Sequence, residues 1–213
     1  LGDKTPDFNL KGVDGKSYGP QDFASSKILV VIFSCNHCPY VQAYEERMIQ
    51  IQKEYAAKGV QFVLINSNED KNYPDDSFEN MVKRAEEKGY PFPYLRDDSQ
   101  NVAKAYGATH TPHLFVFAKT GTVPDLPADR REAVESGLSP AWKLAPSTEL
   151  RVPAGHPEGA SVLAYTGKID DNWQNSTQVK CHYLREAFDA LLAGRKPAEP
   201  QTHAIGCTIK WRR

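Results

Sequence analysis

Two cysteines separated by two residues carry the most reactive chemistry in this sequence. Cys35 and Cys38 stand in the stretch FSCNHCPYV, with His37 between them. Such a pair can bind a metal, form a structural disulfide or exchange electrons as a dithiol. A disulfide across so short a loop stabilises little, and a metal site needs three or four ligands, whereas the chain has a single Cys-x-x-Cys. The spacing therefore favours a redox dithiol, and a metal-binding chaperone that uses Cys35, Cys38 and a histidine stays open as an alternative.

The flanking elements place this pair between a strand and a helix. The apolar run 28–33 is typical of a buried strand, and apolar positions three or four apart predict a helix from Pro39 to about Lys58. A helix N-terminus presents unpaired amides that favour an anion such as a thiolate. We therefore expect Cys35 at the N-cap as the nucleophile and Cys38 one turn into the helix as the resolving thiol. His37 would add a positive charge or a donor.

Strands and helices alternate along the rest of the chain. A β-hairpin is expected around Asp14-Gly15, followed by further strands at 60–67, 113–117 and 162–169 and further helices at 75–89, 99–107 and 179–194. This order predicts an α/β sheet whose strands are parallel in the first half and in which the last two strands could pair antiparallel.

One long segment interrupts this order. Residues 121–161 are rich in proline, glycine and charge, and a structureless connection of this length is uncommon inside a compact domain. We interpret 121–161 as an insertion between the last two strands, with one short helix at 129–136. The whole chain, 1–213, is then a single domain.

Several stretches together are similar to one known family. CNHCPYV and the C-terminal GCTIKW are the most specific, and GDKTPDFNLKGVDGKSY, YPDDSFENM and THTPHLFVF match as well. On these motifs the chain resembles thioredoxin-like proteins of the redoxin group, which are related to peroxiredoxins. The resemblance covers nearly the whole chain apart from 121–161. It implies a thioredoxin fold with an added N-terminal β-hairpin.

The resemblance also implies the residues of a site. It makes Cys35 and Cys38 the redox pair, with His37 beside them. It makes Pro112, which follows Thr111, a cis-proline that faces the dithiol and blocks metal capture. The implied activity is thiol–disulfide exchange with protein or small-molecule thiols and disulfides, with no organic cofactor and no metal.

Two departures from related families limit this expectation. Thioredoxins place a buried aspartate on the strand before the dithiol, whereas 28–33 contains no acid, so a proton acceptor for Cys38 must come from elsewhere. Peroxiredoxins carry a threonine or serine three residues before the reactive cysteine, where this chain has Ile32. The second departure argues against efficient peroxide reduction. A weak thiol-dependent peroxidase of the alkyl hydroperoxide reductase type is kept as an alternative.

Other residues are weaker candidates. Asn68 follows the second predicted strand and Asn36 lies inside the dithiol motif. We expect both to contact substrate, because ligands of α/β sheets bind at the carboxyl ends of strands. Asp170 and Asp171 are expected to cap the turn into the last helix, with Cys181 in the first turn of that helix. Cys207 is either a third redox thiol or a packed core residue.

Bulk composition limits the partners. The net charge is −1, so no electrostatic argument points to nucleic acid, and no apolar run is long enough to cross a bilayer. We expect a monomer. The chain begins at Leu1, which suggests a trimmed or processed N-terminus, and we expect either a cytoplasmic or a periplasmic or secreted location.

Overall fold

The structure, a computed structural model, describes residues 1–120 and 159–212. These residues contain nine strands and four α-helices. The strands are β1 (Leu10–Gly12), β2 (Ser17–Tyr18), β3 (Ile28–Ser34), β4 (Val60–Asn66), β5 (Tyr94–Arg96), β6 (His110–Thr111), β7 (His113–Lys119), β8 (Ser161–Gly167) and β9 (Cys207–Thr208). The helices are α1 (Pro39–Ala56), α2 (Phe78–Lys88), α3 (Asn101–Tyr106) and α4 (Tyr183–Leu192). Seven strands form one sheet in the order β2-β1-β5-β4-β3-β7-β8, and β6 pairs with β9 in a second.

The strand before the dithiol lies at the centre of the main sheet. All seven residues of β3 are buried, and β3 pairs with β4 in parallel and with β7 antiparallel. Its side chains alternate between two apolar clusters, Val30 and Ile32 with the residues of α1 and α4, and Val31 and Phe33 with those of α3. Because both faces are covered, the strand is apolar at nearly every position.

The predicted class of fold is confirmed. The N-terminal β-hairpin pairs Leu10 with Tyr18 and adds to the sheet through β5. The unit β3–α1–β4, followed by the antiparallel pair β7–β8 and then α4, is the arrangement of a thioredoxin fold. The two strands that flank the predicted insertion are therefore neighbours in the sheet.

Several predicted boundaries were wrong. The short strands β5, β6 and β9 were not predicted, because two or three residues give no periodic pattern. Helix α4 begins at Tyr183, so Cys181 precedes the helix instead of lying in its first turn. Strand β8 begins at Ser161, the last residue assigned to the insertion. Residues 121–158, which include the helix predicted at 129–136, lie outside the described residues.

The C-terminal segment returns to the middle of the molecule. In the β6–β9 pair, Thr111 lies opposite Cys207. The segment is held beyond this pair as well, because Ile209 is buried and the carbonyl of Lys210 accepts hydrogen bonds from the Glu69 amide (2.9 Å) and the Gln100 side chain (2.8 Å). Among the described helices, none combines the length and the apolar character that crossing a bilayer would require.

Candidate dithiol site

The dithiol lies in the loop between β3 and α1. The N-cap of α1 is Cys38, followed by Pro39 at the first helical position, so the prediction of Cys35 at the N-cap was wrong. The helix amides and dipole therefore act most directly on Cys38. Both cysteines are almost fully buried, Cys35 with 1% and Cys38 with 0% of its surface exposed. The site is thus covered by the surrounding chain instead of standing open to solvent.

Thr111 contacts both sulfurs from the opposite side. The Thr111–Pro112 peptide bond is cis, as expected. The Thr111 hydroxyl lies 3.2 Å from the Cys35 sulfur, and the Cys38 thiol donates to the Thr111 carbonyl at 3.1 Å. The structure therefore brings Cys35, Cys38, Thr111 and Pro112 together, although Thr111 and Cys35 are 76 positions apart in the chain.

A buried carboxylate that the sequence analysis missed organises the loop. Asp76 is fully buried and accepts three hydrogen bonds: at Oδ1 from the Asn36 amide (2.6 Å), and at Oδ2 from the Asn68 side chain (2.7 Å) and the His37 ring nitrogen Nδ1 (2.6 Å). It lies two residues after Pro74 and directly before the N-cap Ser77 of α2, so in sequence it looks like an ordinary acid at a helix start. The motif YPDDSFENM was the signal that could have found it.

The two asparagines predicted to contact substrate belong to the framework of the site. Asn36 is buried, donates to the Asp75 carbonyl (2.7 Å) and accepts from the Tyr94 hydroxyl (3.0 Å). Asn68 is buried too, and its side-chain oxygen accepts from the Lys210 amide (2.8 Å). Because these side chains bond to protein groups, they help to position the loop, and their contact with substrate stays a prediction.

His37 is partly exposed, whereas Cys35, Asn36 and Cys38 are buried. Its ring is held by Asp76 at one end and stacks on Tyr73, with ring centroids 5.4 Å apart. The Cys35 sulfur, a His37 ring nitrogen and an Asp76 oxygen all lie within 4.8 Å of one another. Within the described part of the chain, these three residues form the group that could hold a metal ion. They also place a carboxylate and an imidazole beside the sulfur as proton carriers.

The reduced pair is polarised toward Cys38. A hydrogen bond from Cys35 lowers the pKa of Cys38 to about 4, with a further contribution from Cys207 and against the effect of burial. The same hydrogen bond raises the pKa of Cys35, as do burial and the negative charge of Asp76. At neutral pH the pair therefore holds its negative charge on Cys38 and its proton on Cys35. The contact of Cys38 with the Thr111 carbonyl belongs to the fully protonated pair.

The remaining candidates lie in two places. Cys207 is partly exposed and packs against the cluster that contains the dithiol. Asp170 caps the turn that leads toward α4, as predicted, because its side chain accepts from the Asn172 amide (3.0 Å). It accepts from the Tyr44 hydroxyl (2.9 Å) and from Arg47 (2.7 Å), and so ties α1 to the loop before α4. Asp171 accepts from the Lys180 amide (2.9 Å) within that loop. The contacts of the two aspartates do not involve Cys35 or Cys38.

Fold and site together define a thioredoxin-like protein with a buried Cys-x-x-Cys dithiol. Residues 1–132 match the family model described as Redoxin, which is more than half of the chain. The protein therefore belongs to the Redoxin family, as its motifs indicated.

Solved structures and curated proteins include similar chains. An uncharacterized conserved protein from Geobacillus kaustophilus is 37% identical, with a TM-score of 0.76 over 100% of this chain and 92% of that one. A hypothetical protein from Sinorhizobium meliloti 1021 is 31% identical, with a TM-score of 0.76 over 100% of this chain and 94% of that one. The thiol-disulfide oxidoreductase ResA of Geobacillus thermodenitrificans is 27% identical over 58% of this chain, and the match spans 66% of its length.

Proposed function

We propose that this protein is a thiol–disulfide oxidoreductase that exchanges its Cys35–Cys38 dithiol with disulfides of proteins or small molecules. The observation that carries the proposal is the pair of sulfurs at the start of α1, each within 3.2 Å of an atom of Thr111 beside the cis-proline. The name of the Geobacillus thermodenitrificans relative supports the same activity.

The mechanism uses the two sulfurs in sequence. The proton that Cys35 shares with Cys38 leaves Cys35, and its thiolate attacks one sulfur of a substrate disulfide. That bond breaks, a substrate thiolate departs, and Cys35 is joined to the other half in a mixed disulfide. Cys38, whose thiolate is favoured by its position, then attacks the Cys35 sulfur and releases the second substrate thiol. The substrate gains two electrons and the protein holds a Cys35–Cys38 disulfide.

Asp76 and His37 supply a route for the protons of this exchange. Their side chains and the Cys35 sulfur lie within 4.8 Å of one another, and His37 is partly exposed to solvent. A proton on Cys35 can thus pass to the carboxylate or the ring and then to water. Asp76 therefore places an acid beside Cys35, although β3 itself carries none.

Trapping the mixed disulfide tests the proposal. We expect the wild-type protein to catalyse reduction of insulin by dithiothreitol, Cys35→Ser to abolish turnover, and Cys38→Ser to accumulate mixed disulfides through Cys35. Cys181→Ser is the matched control, since Cys181 lies before α4 and outside the site. Absence of catalysis by the folded wild-type protein would overturn the activity. Mixed disulfides that form through Cys38 in Cys35→Ser, with none in Cys38→Ser, would reverse the order of the two sulfurs.

Metal binding is the second candidate, supported by the close grouping of Cys35, His37 and Asp76. A thiolate, an imidazole and a carboxylate suit Zn²⁺, although binding would have to displace the hydrogen bond between His37 and Asp76. Metal analysis of protein purified without chelator separates the two candidates. Stoichiometric zinc that is lost in His37→Ala, together with failure to reduce insulin, would favour metal binding over exchange.

A further inference from the structure

A third cysteine, Cys207 in the C-terminal segment, lies near the dithiol. Cys207 lies opposite Thr111 in the β6–β9 pair, which places their Cα atoms about 4.5–5.5 Å apart. Thr111 also contacts the sulfurs of Cys35 and Cys38. Thr111 is therefore the common neighbour of all three cysteines. Cys207 also packs against the cluster that contains Cys35 and Cys38, and it helps to lower the pKa of Cys38, so it lies near the Cys38 sulfur.

The chain around Cys207 is built for this approach. A Cβ atom on Gly206 would lie 2.2 Å from the Thr111 carbonyl oxygen, so a glycine is required for β9 to come this close. On the other side of Cys207, buried Ile209 and the hydrogen bonds of Lys210 hold the segment in place. The proximity of Cys207 to Cys38 is therefore fixed by contacts on both sides of the cysteine.

Cys207 differs from Cys35 and Cys38 in its exposure to solvent. Cys35 and Cys38 are buried, whereas Cys207 is partly exposed. A large thiol or disulfide partner can therefore approach the Cys207 sulfur more easily than either sulfur of the dithiol. A disulfide within the buried pair is less accessible to a large thiol than a disulfide that includes Cys207.

We propose that Cys207 is a third redox thiol, which takes Cys38 into a Cys38–Cys207 disulfide and so carries the oxidised state of the buried pair to the surface. The Cys207 thiolate attacks the Cys38 sulfur of the Cys35–Cys38 disulfide. The bond between Cys35 and Cys38 breaks, the Cys38–Cys207 bond forms, and Cys35 leaves as a thiolate that takes up the proton lost by Cys207. The step neither gains nor loses electrons. An external thiol then attacks the sulfur of the partly exposed Cys207, and Cys38 leaves as a thiolate. A second external thiol resolves the mixed disulfide at Cys207 and leaves as part of an external disulfide, so the protein regains its three thiols.

The ionisation of Cys207 is consistent with this order of events. In the reduced protein its pKa is raised to about 12, first by burial and then by its hydrogen bond to Cys38 and the charge on Cys38. Once Cys38 is in a disulfide it carries no charge, and two of these causes vanish. Lys210 lowers the pKa of Cys207 in either state. Cys207 thus becomes the better nucleophile when there is a disulfide for it to attack.

The test uses a full-length protein in which Cys38 and Cys207 are the two cysteines left, Cys35→Ser with Cys181→Ser. The folded protein is incubated with oxidised glutathione, its free thiols are blocked with N-ethylmaleimide, and it is digested with trypsin. Cys38 then lies in peptide 28–47 and Cys207 in peptide 196–210. We expect these two peptides joined, in roughly tenfold excess over their glutathione adducts, since a neighbouring thiol held in place has a high effective concentration. The same protein in guanidinium should give mainly the adducts.

A second measurement covers the case in which this variant does not fold. The Cys181→Ser protein, which keeps the three site cysteines, is partly oxidised with glutathione and digested in the same way. We expect some molecules with peptide 28–47 joined to 196–210 through Cys38 and with Cys35 alkylated. Separate adducts in the folded first variant, or an internal Cys35–Cys38 disulfide alone in the second, would overturn the proposal. The proposal rests on the proposed activity, but insulin reduction by the wild-type protein tests that activity independently of where the disulfide migrates.

Discussion

The carboxylate of Asp76 links the dithiol loop to two other parts of the chain. Its three hydrogen bonds come from the Asn36 amide, the His37 ring and the Asn68 side chain, and its backbone carbonyl accepts from Arg96 (3.0 Å). An acceptor with several donors and no solvent is costly to replace, because the donors would be left unpaired in the interior. Asp76 therefore sets the conformation of the loop as well as the charge beside Cys35.

This double role predicts the effect of Asp76→Asn. The amide keeps the shape of the carboxylate but turns one acceptor into a donor that faces other donors, so we expect the free energy of unfolding to fall by about 2–4 kcal/mol. Insulin reduction per folded molecule should fall by roughly a hundredfold, the low end for loss of a proton carrier. Guanidinium unfolding and turnover under conditions where the variant is folded measure the two effects.

Asp75→Asn is the matched control, since the Asp75 side chain is exposed and its contact with Asn36 goes through the backbone carbonyl. It should change stability by no more than about 0.5 kcal/mol and leave turnover unchanged. Full turnover in folded Asp76→Asn would remove the carboxylate from the proton route. Equal loss in both variants would point to a general effect on the loop instead.

At the scale of elements, the β7–β8 pair brings together the two ends of the segment 121–158. The two strands pair from Leu114 opposite Gly167 to Lys119 opposite Ser161, and the Thr120 amide donates to the Ala160 carbonyl (2.7 Å). This is the geometry in which a two-residue turn can close an antiparallel hairpin. The sheet itself therefore does not depend on the length of the connection.

We accordingly expect replacement of 121–159 by Asn-Gly to leave a cooperatively folded protein. Its free energy of unfolding should be unchanged or higher by up to about 2–3 kcal/mol, because a shorter loop costs less entropy to close. Urea titration followed by far-ultraviolet circular dichroism and by tyrosine fluorescence would show coincident transitions. Loss of a cooperative transition would mean that the segment packs against the core, and the interpretation of 121–161 as an insertion would fail.

Sequence patterns found the elements whose signal is local and missed those whose existence depends on a distant partner. The apolar run of β3 and the periodicity of α1 can each be recognised from a short stretch of sequence. The pair β6–β9 has two residues a side and forms because the C-terminal segment returns across nearly a hundred positions, as the Thr111–Cys207 contact shows (96 apart).

The same limit applies to the site. Cys35, Cys38 and the cis-proline were found because Cys-x-x-Cys and Thr-Pro are recognisable motifs. The absence of an acid on β3 suggests that an acid comes from elsewhere, but it does not say from where. Asp76 contacts the Asn36 amide although it lies 40 positions further along the chain, so no local pattern identifies it. The position of the N-cap was also beyond the pattern, because a proline is accepted at the first helical position whichever cysteine precedes it.

At the scale of the whole molecule, ionisation of the dithiol connects redox state to stability. In the folded reduced protein the pKa of Cys38 is lowered to about 4, whereas an unfolded cysteine has a pKa of about 8.5. Unfolding therefore takes up one proton between these two values, and the stability of the reduced form rises with pH across this window. Above it the raised pKa of Cys35 acts in the opposite direction, because unfolding then releases a proton. The Cys35–Cys38 disulfide form has neither thiol and should show no such dependence.

The reduction potential should carry the same signature. Because the folded protein stabilises its reduced form through the Cys38 thiolate, we expect a potential at pH 7 above the value of about −270 mV for thioredoxin and nearer about −180 mV. Reduction to one thiol and one thiolate takes up a single proton, so the potential should fall by about 30 mV per pH unit between pH 5 and 8, and not by about 60. Glutathione redox titrations across this range, with Cys181→Ser as the control, measure both quantities. A slope near 60 mV per pH unit would show that Cys38 is protonated in the reduced protein. A potential at or below that of thioredoxin would show that the dithiol is not an oxidant.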